Sequence, residues 1–242
     1  MTRETTLYIH SLESLAARDG EGLRYGVFLG GCPLRCAYCH NPDTWDMRAT
    51  TPYDVNELFA KIKRYRPYFR ASGGGVTFSG GEPLLQANAL CTLSSLLREA
   101  EISYTVDTSG ALALTDAVKE LLLGAELVIL DLKFANAEDY RRYTGGDFSF
   151  VLCTLDFLVA HEKRIWVRTV VVPGLNDTES ALGEYVRVLM PYRSKILKYE
   201  LLPFHTMGFF KYERLGAQNA LANTPPMDVE KLARLQEFVN RS

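Results

Sequence analysis

The stretch Tyr25–Trp45, "YGVFLGGCPLRCAYCHNPDTW", begins as a short strand-like run at 25–29. It breaks at a glycine pair into a loop holding Cys32, Cys36 and Cys39. The same order, a strand and then unusual chemistry, recurs along the chain. Further runs rich in Val, Ile, Leu, Phe and Tyr lie at 75–78, 103–106, 127–130, 165–172 and 195–201. Near-continuous apolar runs of this kind mark strands buried on both faces. Segments of helical period separate them at 55–66, 86–100, 114–123, 137–143, 150–161 and 179–191. A last one at 228–240 starts from Asp228 as an N-cap.

Strand then helix, six times over, implies parallel strands joined by right-handed crossovers, in either an open doubly wound sheet or a barrel. The polar residues decide between the two. Ser79-Gly80-Gly81-Glu82 follows the second strand, Asp107-Thr108 the third and Asp131-Leu132-Lys133 the fourth. Arg168 lies inside the fifth, and Pro203-Phe204-His205 follows the sixth. A flat sheet would spread the outermost of these ~20 Å apart, whereas a barrel brings every C-terminal strand edge to one mouth. The expected fold is therefore α/β, an incomplete (β/α)6 TIM-like barrel of parallel strands. It spans residues 1–242 as one domain: an extension at 1–24, a barrel core at 25–205 and a C-terminal segment at 206–242 that ends in a helix.

Composition narrows the function classes. With 242 residues, 47% hydrophobic and 23% charged, the chain can bury a large core. A net charge of -2 leaves no broad basic field, which argues against nucleic acid as a partner. Residues 1–20 lack an apolar run with a cleavage site, and no stretch reaches the ~18 apolar residues of a membrane span. The expected compartment is the cytoplasm, with no membrane partner. Five cysteines are too few for a disulfide scaffold.

Three readings of the clustered thiols compete. A disulfide leaves one of the three odd, and a reducing compartment disfavours it. A structural zinc site wants four closed ligands. His40 is adjacent to Cys39 and sterically poor for the same ion, while Cys91 and Cys153 lie in helical patterns on faces that read as buried. An iron–sulfur cluster needs thiolates on separate irons. Spacings of four and three residues let one loop wrap three corners of a cubane and leave the fourth iron open to a further ligand.

"CPLRCAYC" followed by "SGGEP" resembles the radical S-adenosylmethionine (SAM) superfamily. "CHNPDTWD", "ASGGGVTFSGGEPLLQ", "LDLK", "VRTVVVPGLND" and "ELLPFH" sharpen the resemblance to the activating enzymes of glycyl radical enzymes, those of pyruvate formate-lyase above all. The resemblance runs collinearly from about Ile9 to His205. It implies a [4Fe-4S] cluster on Cys32, Cys36 and Cys39, with SAM held by its amino and carboxylate groups on the fourth iron. It also implies a 5′-deoxyadenosyl radical that takes hydrogen from a glycine Cα of a partner glycyl radical enzyme in anaerobic metabolism. Two other readings stand beside it: a radical SAM enzyme acting on another peptide or small molecule, and a non-enzymatic iron–sulfur redox protein.

The resemblance also nominates residues. Gly80, Gly81 and Glu82 form a turn whose bare backbone can approach SAM. Asp131 and Lys133 share one face by alternation, with Leu132 on the other; either they serve only as an ion pair at the barrel rim or, as the resemblance implies, the Asp-Leu-Lys stretch contacts SAM. Tyr38 and His40 flank Cys39 and are expected near the cofactor. Asp107 and Thr108 offer hard oxygens; Thr108 or Ser109 could instead cap a helix. Resemblance places a monovalent cation, Na+ or K+, among Asp107, Thr108, the Ile129 carbonyl and Asp131. Arg168 and His205 are expected either to contact SAM or to serve structure alone. "RDGEGLR", 18–24, carries Glu21 where relatives have proline, and Asp19 is assigned to binding the target loop. No cysteine lies between Asn41 and Ser72, so the chain holds one cluster, and an electron is expected from flavodoxin or ferredoxin.

Overall fold

The computed structural model describes residues 5–17 and 19–242. Arg18, which opens the 18–24 stretch, lies outside the described residues. Eight strands form one sheet: β1 (Thr6–Ala16), β2 (Arg24–Leu29), β3 (Thr51–Asp54), β4 (Gly75–Gly80), β5 (Tyr104–Thr108), β6 (Leu127–Asp131), β7 (Ile165–Val171) and β8 (Ile196–Pro203). Their order is β3-β1-β2-β4-β5-β6-β7-β8, and the six strands from β2 to β8 are parallel neighbours. These are the six expected strands.

The sheet is curved and not closed. One cavity of about 240 Å³ is lined by Cys32 beyond β2, Gly80 of β4, Asp107 of β5, Asp131 of β6, Val170 of β7 and Leu202 of β8. In a flat sheet the outer two of six strands would stand ~24 Å apart at ~4.8 Å per strand. Only a barrel-like bend lets all six line one such space.

The residues before β2 are more than an extension. β1 pairs antiparallel with β2, and β3 pairs antiparallel with β1, so both widen the same sheet. In β1 the burial of Leu7 and Ile9 alternates with exposed Thr6 and Tyr8, the period of a strand with one wet face. β8 departs from the expected two-sided burial, and Leu197 is 55% exposed. It is an edge strand, and Lys198 on it discourages edge-to-edge pairing.

The helices cover the outside: α1 (Val55–Lys63), α2 (Arg66–Ser72), α3 (Ala87–Glu99), α4 (Asp116–Gly124), α5 (Ala137–Thr144), α6 (Phe148–Ala160), α7 (Glu179–Leu189), α8 (Phe210–Leu215) and α9 (Val229–Arg241). The helix expected at 55–66 ends at Lys63. Pro67 then sits in the first turn of α2, where its missing N–H costs nothing; inside a longer helix it would clash with the preceding turn. Asp228 caps α9 by accepting from the Lys231 N–H, as expected. α9 lies against β8 and α7. Among the described residues no helix is long and apolar enough to cross a membrane.

Candidate active site

The cysteine loop is held by backbone bonds from three sides. The Arg35 and Ala37 N–H groups donate to the Thr144 and Tyr143 carbonyls at the C-terminal end of α5 (2.7 and 2.8 Å). Gly31 N–H donates to the Thr44 carbonyl (2.7 Å), and Glu82 N–H to the Gly31 carbonyl (2.8 Å). This last contact explains the glycines after β4. A Cβ at Gly81 would fall 2.2 Å from the Gly31 carbonyl oxygen, and Gly80 has φ +112° with Leu29 backbone equally close. Side chains are absent there because two loops touch, and the bared turn also lines the cavity.

Cys32, Cys36 and Cys39 all line that cavity, with Tyr38 and His40 beside them. Burial pushes the Cys36 thiol up to about 12 and Cys32 up to about 11, and it raises Cys39 as well. Such thiols remain protonated until metal supplies positive charge, so ligation would release protons. Among the described residues no three His, Cys, Asp or Glu side chains converge on a single metal ion. Three thiols from one loop line one cavity, a donor set that fits thiolates on separate irons. Cys91 is half-buried and its Sγ bonds the Ala117 carbonyl. Cys153 is exposed, correcting the buried face expected for it.

Opposite the thiols, Asp131 and Lys133 form the anticipated rim ion pair at 3.0 Å. Burial opposes the Lys133 charge, but Asp131 and the Cys36 site outweigh it and hold its pKa well above the usual range. Leu132 is fully buried on the other face, away from the cavity. Asp107 accepts from Ser79 Oγ (2.8 Å), and burial, then the Asp131 charge, pushes its carboxyl up to about 7. Such a carboxylate pair attracts a cation. Ile129 is fully buried and its side chain does not reach the cavity.

Two further nominated residues do not line the cavity. Glu82 is fully buried and does not line the cavity. Its carboxylate accepts from Leu84 N–H, Thr108 Oγ1, Ser109 N–H and Ser109 Oγ, tying the loop after β4 to the loop after β5. Thr108 and Ser109 therefore brace Glu82 and cap no helix; α4 starts later, under Thr115. Arg168 also stands back from the cavity, with its Nε 3.1 Å from Glu200 across the β7–β8 register.

His205 stacks on His40, centroids 3.7 Å apart and 5° from parallel, and its carbonyl lies 2.8 Å from His40 Nε2. His205 Nδ1 is buried without a partner among the described residues, and so is the Tyr140 hydroxyl. Neither residue lines the cavity itself: His205 packs on the lining His40, and Tyr140 lies next to the lining Leu34. An orphaned buried polar group invites a further partner.

Asp19 lies below this level, toward the N-terminal ends of the strands. Its carbonyl accepts from Thr77 Oγ1 (2.6 Å); burial raises its carboxyl pKa against the opposing pull of Arg168 and Arg24. Arg24, 1% exposed, spans the base of the barrel, donating to Thr77, the Val76 carbonyl and Thr105. Glu21 makes a two-pronged pair with Arg164, at 2.8 and 3.0 Å.

Sequence reasoning missed the brace from the C-terminal segment. Tyr212 donates to the Cys39 carbonyl (3.0 Å), Lys211 reaches Asn41 and Asp43, and Gly208 packs on His40 backbone. No local pattern around 206–216 announces these contacts.

A family profile described as a 4Fe-4S single cluster domain matches residues 18–146. A pyruvate formate-lyase-activating enzyme of Clostridium pasteurianum is 41% identical over 235 residues, covering 96% of each chain. Among solved structures, Streptococcus suis SuiB bound to precursor peptide SuiA aligns with a TM-score of 0.65 at 16% identity, over 86% of this chain and 43% of that one. A radical SAM methyltransferase from Sphaerobacter thermophilus aligns with a TM-score of 0.61 at 18% identity, over 97% of this chain and 75% of that one. Both share the fold.

Proposed function

This chain belongs to the family of pyruvate formate-lyase-activating enzymes, and from that premise we propose that it installs a glycyl radical on a partner enzyme of the pyruvate formate-lyase type. When bound, the [4Fe-4S] cluster and SAM supply the one-electron reductive cleavage whose 5′-deoxyadenosyl radical takes a hydrogen atom from a glycine Cα. One observation carries the reading: Cys32, Cys36 and Cys39 open onto the same cavity as the ends of all six parallel strands.

The chain's own residues bind, orient and exclude water. The three cysteines would hold the cluster by one loop, which α5, Thr44 and Tyr212 keep in shape. Lys133 would neutralise the SAM carboxylate, already fixed in place by Asp131. The Gly80-Gly81 backbone would accept the amino-acid end at close range, and His205 Nδ1 would gain the partner it lacks. Tyr38, 4% exposed, closes the cavity wall. Asp107 and Asp131 would share Na+ or K+, which would relieve their mutual repulsion. Arg168 acts through Glu200 and the sheet edge.

Asp19 would meet the target loop from below. The family's proline is replaced here by the Glu21–Arg164 pair, which restrains the same turn from outside. The electron would come from flavodoxin or ferredoxin.

The test is anaerobic reconstitution, with a chemical reductant, SAM and a candidate lyase. Formation of 5′-deoxyadenosine together with an organic radical on the lyase, seen by electron paramagnetic resonance, supports the function. A reconstituted protein that cleaves SAM and leaves every glycyl radical enzyme offered without a radical points to another peptide or small-molecule substrate.

A further inference from the structure

Tyr140 stands in α5, is fully buried, and its hydroxyl has no hydrogen-bond partner among the described residues. Leaving a buried hydroxyl unpaired costs stability, so such groups are nearly always satisfied. Its surroundings indicate what the partner is. α5 is the helix from which the cysteine loop hangs, through the Thr144 and Tyr143 carbonyls. A Cβ at Gly146 would touch both the Tyr140 ring and Leu34, so ring and loop lie side by side. On its other side the ring packs on Phe148, with centroids 5.6 Å apart. The charged groups whose fields reach the hydroxyl are Lys133, Cys36, Glu82 and Asp131, all at or behind the candidate site. Burial raises the phenol's pKa, so it remains a neutral O–H donor.

We propose that the Tyr140 hydroxyl donates a hydrogen bond to a sulfur of the iron–sulfur cluster when that cluster is bound to the loop, and so raises the cluster's reduction potential. The inference rests on the cluster reading of the three thiols. Reduction adds negative charge to the cluster, and an O–H dipole aimed at sulfur stabilises that charge; hydrogen bonds to sulfur are among the levers that set such potentials.

Tyr140→Phe removes only the oxygen. In the cluster-free protein it deletes an unpaired buried hydroxyl, so the melting temperature stays the same or rises. In the reconstituted protein, a redox titration read by electron paramagnetic resonance should show about a tenfold fall in the reduced-to-oxidised ratio at fixed potential. For a one-electron couple that is a shift of about 59 mV to more negative potential. Electron–nuclear double resonance in H2O and D2O should show an exchangeable proton coupled to the reduced wild-type cluster and absent from Tyr140→Phe. Equal potentials with unchanged coupling overturn the proposal. A wild type that assembles no [4Fe-4S] cluster overturns the cluster reading first, so the two failures are distinct.

Discussion

Replacing Glu82 cuts a carboxylate that joins the loop after β4 to the end of β5 and the loop beyond it. Four donors converge on it: Leu84 N–H at 3.1 Å, Thr108 Oγ1 at 2.6 Å, Ser109 N–H at 2.9 Å and Ser109 Oγ. In Glu82→Ala the two hydroxyls can rotate to other acceptors, but the two backbone N–H groups cannot. Each stranded buried N–H costs about 1–3 kcal/mol, so the variant should lose about 2–6 kcal/mol. Glu82→Gln keeps one oxygen for Leu84 and Thr108 and turns its NH2 toward Ser109 N–H. One donor is then stranded, and the loss should be about 1–3 kcal/mol. An opposing effect makes the outcome informative. No cation pairs with Glu82 among the described residues, and burying an uncompensated charge is itself costly. Urea unfolding of the cluster-free protein at neutral pH measures the balance, with ΔG compared at unchanged denaturant slope. The expected order is wild type above Glu82→Gln above Glu82→Ala. A Glu82→Gln protein as stable as wild type, or more so, would refute the reasoning, because desolvation would then outweigh the four bonds.

Cys36→Ala should abolish cluster assembly and SAM cleavage while leaving far-ultraviolet circular dichroism largely unchanged; intact cleavage would remove the thiol from the ligand set. Arg164→Ala should change stability by no more than ~1 kcal/mol, as befits a half-exposed pair. It should raise KM for the target lyase with SAM cleavage unaltered, and adding Glu21→Pro should restore KM; a KM insensitive to both changes rules out the clamp. Asp107 is raised from 3.8 to about 7 in the folded chain, by burial and then by Asp131, with Asp19 adding and Arg168 opposing. Between those values the folded state holds the extra proton. The stability contribution is therefore full below the unfolded pKa and is lost as pH rises toward about 7. Thermal melts of Asp107→Asn should lose that slope, whereas a slope equal to wild type would place the titration elsewhere.

What could be read in the chain followed the range of the interaction. The thiol spacing, the six apolar runs and the Asp131–Lys133 alternation are local, and each reads the same before and after folding. β1 escaped notice although Leu7 and Ile9 alternate plainly with polar neighbours, because an antiparallel strand does not belong to the strand–helix rhythm. Glu82 looked like a cofactor contact because it adjoins two glycines. Its bonds, however, go to residues 26 and 27 positions away, on the next strand's loop.

By itself the sequence determined the parallel strand order and the family, and it grouped three thiols within eight residues, since period and spacing need no knowledge of distant partners. The tertiary structure alone decided which glycines answer to backbone crowding, that Arg168 turns to Glu200, that Tyr212 braces the Cys39 carbonyl and that Tyr140 is left with an unpaired hydroxyl. The physical reason is that hydrogen-bond satisfaction is settled between groups far apart in the chain, after the sheet has bent and brought six strand ends around one space.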